Sequence, residues 1–580
     1  MNTFWGSMRH VISDSNPVHA AWAGAILIAL IMLAVLHHIW REDAKKLTRW
    51  RLLCLLPLLI CGAHAFFYMP HTAALDYISF FLMMLIPAVL VLILIIFAKR
   101  KIGYRIAAVL TGLVSVFSLT YFIVAAPNFW NESRKSYTES FKALTQRMDR
   151  RYILKEWKEA DFSALEAKYL PMVQEAEQEQ NPVKFADAVM MFANELHDGH
   201  ISVAADIDEE TIKQYRDTYT SPFDRREYGM AMVQLDSGEV IAVCTKDEVH
   251  ALGIEDGTVI TKWNGKPVLQ AAAEDVPNHG FPVKANADRI AATQLSVIGG
   301  DFVEVSFLDQ NGTEQTVTLS DLGELKSAQE AIIALIQLPK GGYETLMEQN
   351  GSYKMLDDKC GYLRLTAEDP NRYDSGILDY LKGSMPGAKE IFRQALSDMK
   401  QQGMEYLVVD LRCNMGGFDE IGCALCELLT DKDWYGQGLG IRKNGQYTCV
   451  SDHGIHGTGE FADLKVVALT NYECASAGDG TALYLSKLPN VTLAGITDPC
   501  GCNQETGGKC VLSDGLVTVY FPCGLVLDEN CVPNVETKPD RISRNPVEER
   551  IPLDFDAAMR IFRDKEDYEL DWAIKYLEEQ

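Results

Sequence analysis

Four apolar runs near the N-terminus constrain this chain more than any other feature: residues 21–40, 52–69, 77–98 and 106–126. Each comes close to the roughly 20 residues that cross a bilayer as a helix, and none holds an Asp, Glu, Lys or Arg. The loops between them are polarised. Arg41, Lys45, Lys46, Arg49 and Arg51 separate the first two runs, and Lys99, Arg100, Lys101 and Arg105 separate the last two, whereas residues 70–76 hold no Lys or Arg. The positive-inside rule then predicts an integral cell membrane protein with four spans and everything after residue 126 extracytoplasmic. With no charged group in the spans to line a pathway, an anchor is expected rather than a transporter.

Charge divides the chain at the same place. Residues 1–126 hold ten Lys/Arg and four Asp/Glu, while the other 454 hold 44 against 76. So acidic a surface argues against nucleic acid, whose phosphates need Lys and Arg. Aromatic and aliphatic residues run through the acidic part, which argues against disorder.

Beyond the membrane region (1–126) four further units are expected. Residues 127–227 predict a helical stalk or cap; Phe185, Val189, Phe192 and Leu196 recur there at helical spacing, and Gly199 stands where a helix ends. Residues 228–320 are β-rich, with Asn264-Gly265 as a hairpin signal. Residues 321–548 alternate strand-like and helix-like segments, which predicts a sheet with packed helices. Residues 549–580 read as a helical tail.

Three local signals fall at turns of such a fold: Asp198-Gly199-His200, Asp410-Leu411-Arg412-Cys413-Asn414-Met415-Gly416-Gly417, and Ala475-Ser476-Ala477-Gly478-Asp479. A serine between a strand and a helix start projects its hydroxyl from an elbow, and the helix N–H groups favour developing negative charge. Singly, each reads first as something plainer: a satisfied histidine, a glycine turn or an N-cap.

Together and in this order they resemble the tail-specific (C-terminal-processing) serine proteases and their tricorn-core relatives, over residues 185–545. The family's order is a Leu-x-Asp-x-His corner, a PDZ domain, an Asp-Leu-Arg-x-Asn-x-Gly-Gly turn, a Ser-Ala elbow, a Thr-x-Gly stretch and a Pro-Asp pair. Here these match 196–200, a PDZ-like block, 410–417, Ser476-Ala477, Thr506-Gly507-Gly508 and Pro539-Asp540. Within 228–320, Gly253-Ile254, Asp256-Gly257 and Asn264-Gly265-Lys266 resemble a PDZ domain, a module that captures extended chain ends by strand addition.

The resemblance implies a multi-domain chain with a ClpP/crotonase-like α/β core, a polypeptide substrate and no cofactor. It implies Ser476 as nucleophile and the backbone N–H groups of Gly416 and Ala477 as oxyanion donors, the parts acyl transfer requires. Many family members carry the base as a lysine in a Gly-Lys-Gly motif after the serine; here that stretch reads Pro499-Cys500-Gly501-Cys502. Tricorn-like members use the corner histidine, which implies His200 as base. An acidic residue near the C-terminal end orients it, matched by Glu529 or Glu536 and assigned to Glu529. Lys509 is the alternative base. The expected function is a membrane-anchored serine endopeptidase; the alternative is an inactive protease fold kept as a binding or sensor module.

Cys500, Cys502, Cys510, Cys523 and Cys531 form a dense cluster in which an oxidising compartment permits disulfides. Zinc is disfavoured, because paired Cys-x2-Cys knuckles are missing. Cys423 and Cys426 share a helix face and are expected as buried core thiols.

Overall fold

The computed structural model describes residues 129–580 apart from 217, 278–279, 374–384, 444, 506 and 538–539, together with part of 28–56. The apolar runs 77–98 and 106–126 lie outside the described residues, as does most of the other two. Among the described residues no helix is long and apolar enough to cross a membrane. The helix Ala44–Leu53 has ten residues, and the longest described one, Phe162–Glu179, carries Glu166, Lys168, Glu175, Glu177 and Glu179. The expected four-span fold class and integral membrane localisation are therefore corrected: what folds is a mixed α/β protein.

The cap starts with β1 (Phe129–Asn131), followed by α1 (Tyr137–Arg151), α2 (Phe162–Glu179) and α3 (Pro182–Asn194). Each helix starts on a side-chain cap: Ser136, Asp161 and Asn181 accept from backbone N–H groups of the first turn, which satisfies donors that the helix itself cannot. The stripe Phe185, Val189, Phe192 and Leu196 is buried against Phe141, Leu144 and Val173, as its spacing predicts. His197 (φ 46°) then turns the chain into the 198–200 corner and β2 (Ser202–Ala205).

Next comes a β-rich unit. β3 (Ala231–Gln234) pairs with β4 (Val240–Val243); β5 (Ile260–Trp263), β6 (Lys266–Pro267), β7 (Phe302–Leu308) and β8 (Glu314–Ser320) form a second sheet in the order β6-β5-β7-β8. Asn264 and Gly265 both take positive φ, 48° and 78°, as a tight hairpin needs. α4 (Lys284–Leu295) lies along β3. Thr293 Oγ1 donates to the Met232 carbonyl at 2.7 Å and Arg289 Nη1 to that of Gln234 at 2.9 Å. A peptide strand added at this edge would have to displace those bonds.

The core sheet uses β9 (Tyr353–Met355), β10 (Cys360–Arg364), β11 (Tyr406–Asp410), β14 (Lys465–Leu469), β15 (Val491–Gly495) and β20 (Glu549–Arg550), in the order β20-β15-β14-β11-β10-β9. A hairpin of β12 (Asp433–Lys443) and β13 (Gln446–His456) lies outside it. Strands β10, β11, β14 and β15 are parallel. Leu407 and Val409 face the cluster built with α5 (Pro386–Gln401), α6 (Asp419–Leu429) and α7 (Ala477–Ser486). Tyr406 and Val408 face the one that holds Leu577 of α8 (Tyr568–Glu579). Both faces being covered, the strands read as continuous apolar runs.

Parallel strands send their carboxyl ends to one edge. The segments 365–368, 411–417, 470–476 and 496–502 leave β10, β11, β14 and β15 there, where open α/β sheets place their ligands. After the last of these, β16 (Gln504–Glu505), β17 (Gly508–Val511), β18 (Val517–Phe521) and β19 (Gly524–Leu527) follow. β17 and β18 join β1 and β2 in the order β1-β17-β18-β2. The described cysteines, those of the 500–531 cluster included, carry free thiols in this structure; Cys423 and Cys426 are buried in the core.

Candidate active site

Ser476 ends the turn after β14 with φ 57° and ψ −130°, a region that a residue with a Cβ enters only when its surroundings force it. It is the N-cap of α7, yet its side chain makes no capping bond. Ala477, the first residue of α7, has no acceptor for its N–H inside the helix, and the helix dipole adds positive potential there.

The 411–417 turn presses on this elbow. Gly416 has φ 80°, and a Cβ on it would lie 2.7 Å from the Ala475 oxygen, the Ala477 nitrogen and the Ser476 Cβ. Only glycine lets the two turns meet so closely. The Ala475 N–H donates to the Asn414 carbonyl at 2.9 Å, and the Gly416 N–H donates to Asn414 Oδ1 at 2.9 Å. Asn414 Nδ2 in turn donates to Glu368 Oε1 at 3.2 Å, which also accepts from Thr481 Oγ1 at 2.8 Å. Burial, with Asp419 nearby, pushes the Glu368 carboxyl up to about 8, so it is largely protonated at neutral pH.

His200 comes from the cap. Its backbone N–H donates to Asp198 Oδ1 at 2.8 Å, and Asp198 is fixed by Gln504 Nε2 and Tyr152 OH, both at 2.7 Å. The His200 Nδ1 is buried and has no hydrogen-bond partner among the described residues. Burial works to lower its pKa, but the hydrogen-bonded Cys502 thiol and the Asp198 charge more than offset this and hold it above the ordinary histidine value. Cys502 links the histidine to the serine helix: the Gly501 and Cys502 N–H groups donate to Asp479 Oδ2 at 2.8 and 3.1 Å, three residues past Ser476. Burial raises Asp479 to about 6.

The structure thus brings Ser476, Ala477 and Gly416 together and ties the His200 corner to the same helix. Glu529 does not join them; it lies exposed in the turn after β19. Glu536 is buried beside the corner and ion-paired with Lys158, and burial, with the Asp198 charge nearby, raises its carboxyl. Lys509 sits on β17 with its ammonium 5.4 Å from the Tyr520 ring centre. Thr506 and Pro539 lie outside the described residues. Sequence reasoning missed the parts played by Asp198, Asp479 and Glu368. The Asp-x-His spacing held the first of these, and an acid in the first helical turn held the second. Glu368 meets its partners only through the sheet.

The Asp-Leu-Arg part of the glycine-turn motif serves as an anchor. Arg412 is fully buried and bonds Asp410 at 2.8 Å, Asp567 at 2.7 Å and Glu569 at 3.2 Å, which fastens the strand end to α8. Among the described residues no group of His, Cys, Asp and Glu is placed to hold a metal ion.

The sequence profile of peptidase family S41 matches residues 359–512. That segment includes Gly416, Ser476 and Ala477 and excludes His200, Glu529 and Glu536. No curated protein matches the chain. Among solved structures, mature CPAF is similar at 14% identity, over 77% of this chain and 98% of that one, with a TM-score of 0.50. The photosystem II D1 C-terminal processing protease is similar at 17% identity, over 74% and 97%, with a TM-score of 0.33. The tricorn protease is similar at 15% identity, over 77% and 37%, with a TM-score of 0.31. At 14% identity the likeness to mature CPAF is one of fold. The enzyme class supported by the family match is a serine-type peptidase.

Proposed function

We propose that this chain is a serine endopeptidase in which Ser476 attacks the scissile carbonyl of a polypeptide and His200 takes its proton. The observation that carries the reading is the elbow: a serine at positive φ, at the mouth of a helix, with a hydroxyl that does not cap it. Negative charge on the tetrahedral intermediate is received by the Ala477 N–H at the helix start, together with the Gly416 N–H once Asn414 Oδ1 releases it. Asp198 takes the role first given to Glu529, because it holds the His200 backbone N–H and its charge favours the imidazolium. The β-rich unit 228–320 is given a substrate-presenting, PDZ-like role, with its β3 edge opened by movement of α4.

An active-site-directed fluorophosphonate tests the reading. Labelling of the full chain, lost in Ser476→Ala, is the expected result. A well-folded wild-type chain that labels no faster than Ser476→Ala, under reducing and oxidising conditions alike, would leave a binding module with a protease fold.

A further inference from the structure

The stretch that stands where relatives carry a lysine is a Cys-Gly-Cys turn, and its sulfurs converge on the His200 corner. A Cβ placed on Gly199 would lie 2.8 Å from Cys500 Sγ and 3.1 Å from Cys502 Sγ, so both sulfurs surround one point beside His200. Gly501 turns the chain between them at φ 76°. Both thiols thus stand against the corner, and Cys502 is close enough to act on the imidazole electrostatically. One intervening residue keeps the two Cα atoms within about 7 Å, near the span a disulfide bridges. Cys500 is half-buried and open to a small reagent, while Cys502 is buried. By contrast, Cys510 is buried in the apolar cluster of the cap, and Cys531 packs against it.

The turn is also fastened to the serine elbow on both sides. The Cys500 N–H donates to the Cys474 carbonyl at 2.9 Å, two residues before Ser476, and the Gly501 and Cys502 N–H groups hold Asp479, three residues after it. A change in the sulfurs is therefore made next to the proposed base, on a backbone that the elbow already holds.

We propose that Cys500 and Cys502 are an oxidisable dithiol, converted by a low-molecular-weight disulfide into an internal disulfide, and that this oxidation releases His200 to serve Ser476. The second half rests on the serine-peptidase reading; the first does not. Cys500 Sγ attacks one sulfur of the small disulfide, and the first small thiol leaves with the Cys500 proton. The Cys502 thiol then gives its proton to His200 and attacks Cys500 Sγ. The second small thiolate leaves and takes that proton back from the imidazolium. Two protein thiols are oxidised, and one small disulfide is reduced to two thiols. In the reduced state the Cys502 thiol occupies the neutral imidazole, so the ring's lone pair is withheld from the serine hydroxyl. In the disulfide there is no S–H, and the neutral imidazole is free to act as a base.

The test equilibrates the full chain in glutathione buffers from fully reduced to fully oxidised, with three readouts. Peptide mapping should find residues 500 and 502 joined, and the mapped peptide two hydrogens lighter, in wild type but not in Cys500→Ser. Carbethoxylation of His200 by diethyl pyrocarbonate, which needs the unprotonated ring, should be several-fold faster after oxidation and return to its starting rate with dithiothreitol. Fluorophosphonate labelling of Ser476 should rise in parallel. Cys502→Ala should show the faster His200 modification without any oxidant. Peptides that remain dithiols or carry only mixed glutathione disulfides across all the buffers would overturn the proposal, and so would a disulfide that leaves His200 modification unchanged. If His200 responds as expected while Ser476 never labels, the peptidase reading fails and the dithiol stands.

Discussion

The Gly416 amide donates to the Asn414 side-chain oxygen at 2.9 Å, so one of the two N–H groups assigned to the oxyanion is engaged before substrate arrives. The brace behind it runs from Asn414 to Glu368 and on to Thr481. Its central carboxyl carries a buried oxygen without a hydrogen-bond partner among the described residues.

That carboxyl sets the first prediction. Glu368 titrates near 8 in the fold and near 4.3 in an unfolded chain, so the folded state holds the proton more tightly. Stability from this group is full below the unfolded value and is lost as pH rises through about 8. Asp479, raised to about 6, and Glu569, raised to about 7, act with the same sign. Chemical denaturation between pH 5 and 8 should show stability falling with pH, and Glu368→Gln should flatten the slope. An unchanged slope in Glu368→Gln would mean that this carboxyl ionises normally.

Gly416→Ala should fail on two counts. A positive φ imposed on alanine costs about 1–3 kcal/mol, and the new Cβ would meet the elbow backbone at 2.7 Å. A lower melting temperature and loss of fluorophosphonate labelling at Ser476 are expected. A labelled, fully stable variant would place the turn elsewhere.

His200→Ala should lower kcat on an unfolded protein substrate by about 10²-fold or more, the general-base range. Asp198→Asn should also lower it, while Glu529→Ala and Lys509→Ala should change it by a few-fold at most. Wild-type activity should fall as pH drops through the His200 pKa, at a midpoint above the ordinary 6.5 because Cys502 and Asp198 outweigh burial. A dead but folded Lys509→Ala beside an active His200→Ala would assign the base to the lysine.

Arg412→Ala leaves Asp410 buried without its bonded guanidinium, with only Arg364 left at 3.9 Å. Removing one side of a buried ion pair costs about 3–5 kcal/mol, so urea denaturation should show a loss of that order. A loss below about 1 kcal/mol would show that water reaches the strand end.

The parallel core was legible because β11 and β14 are unbroken apolar runs between glycine-marked turns, and the Ser476 elbow because strand, serine and helix follow one another locally. The membrane reading rested on four apolar runs, of which 77–98 and 106–126 and most of the other two lie outside the described residues, and no described helix supports it. The acidic partner was misjudged for a different reason. Glu529 and Glu536 stand seven residues apart, and nothing local records that the first ends in an exposed turn while the second is buried against Lys158. The cysteine cluster looked like a set of bridges because density along the chain was taken for proximity. Cys510 is in the cap cluster and Cys500 is at the His200 corner, so the fold separates them.

Ser202, two residues past the proposed base, finds its strand partner at Tyr520. During synthesis from the N-terminus, the strand that pairs with the histidine corner emerges only after the Ser476 elbow. Pairings so distant in sequence also close slowly. The serine elbow, built from strands much nearer to one another, can therefore assemble while the chain still lacks a working base. On the proposed mechanism, a chain cut short before residue 517 would carry the serine elbow with its histidine corner lacking this strand partner, which would keep unfinished copies from cutting one another.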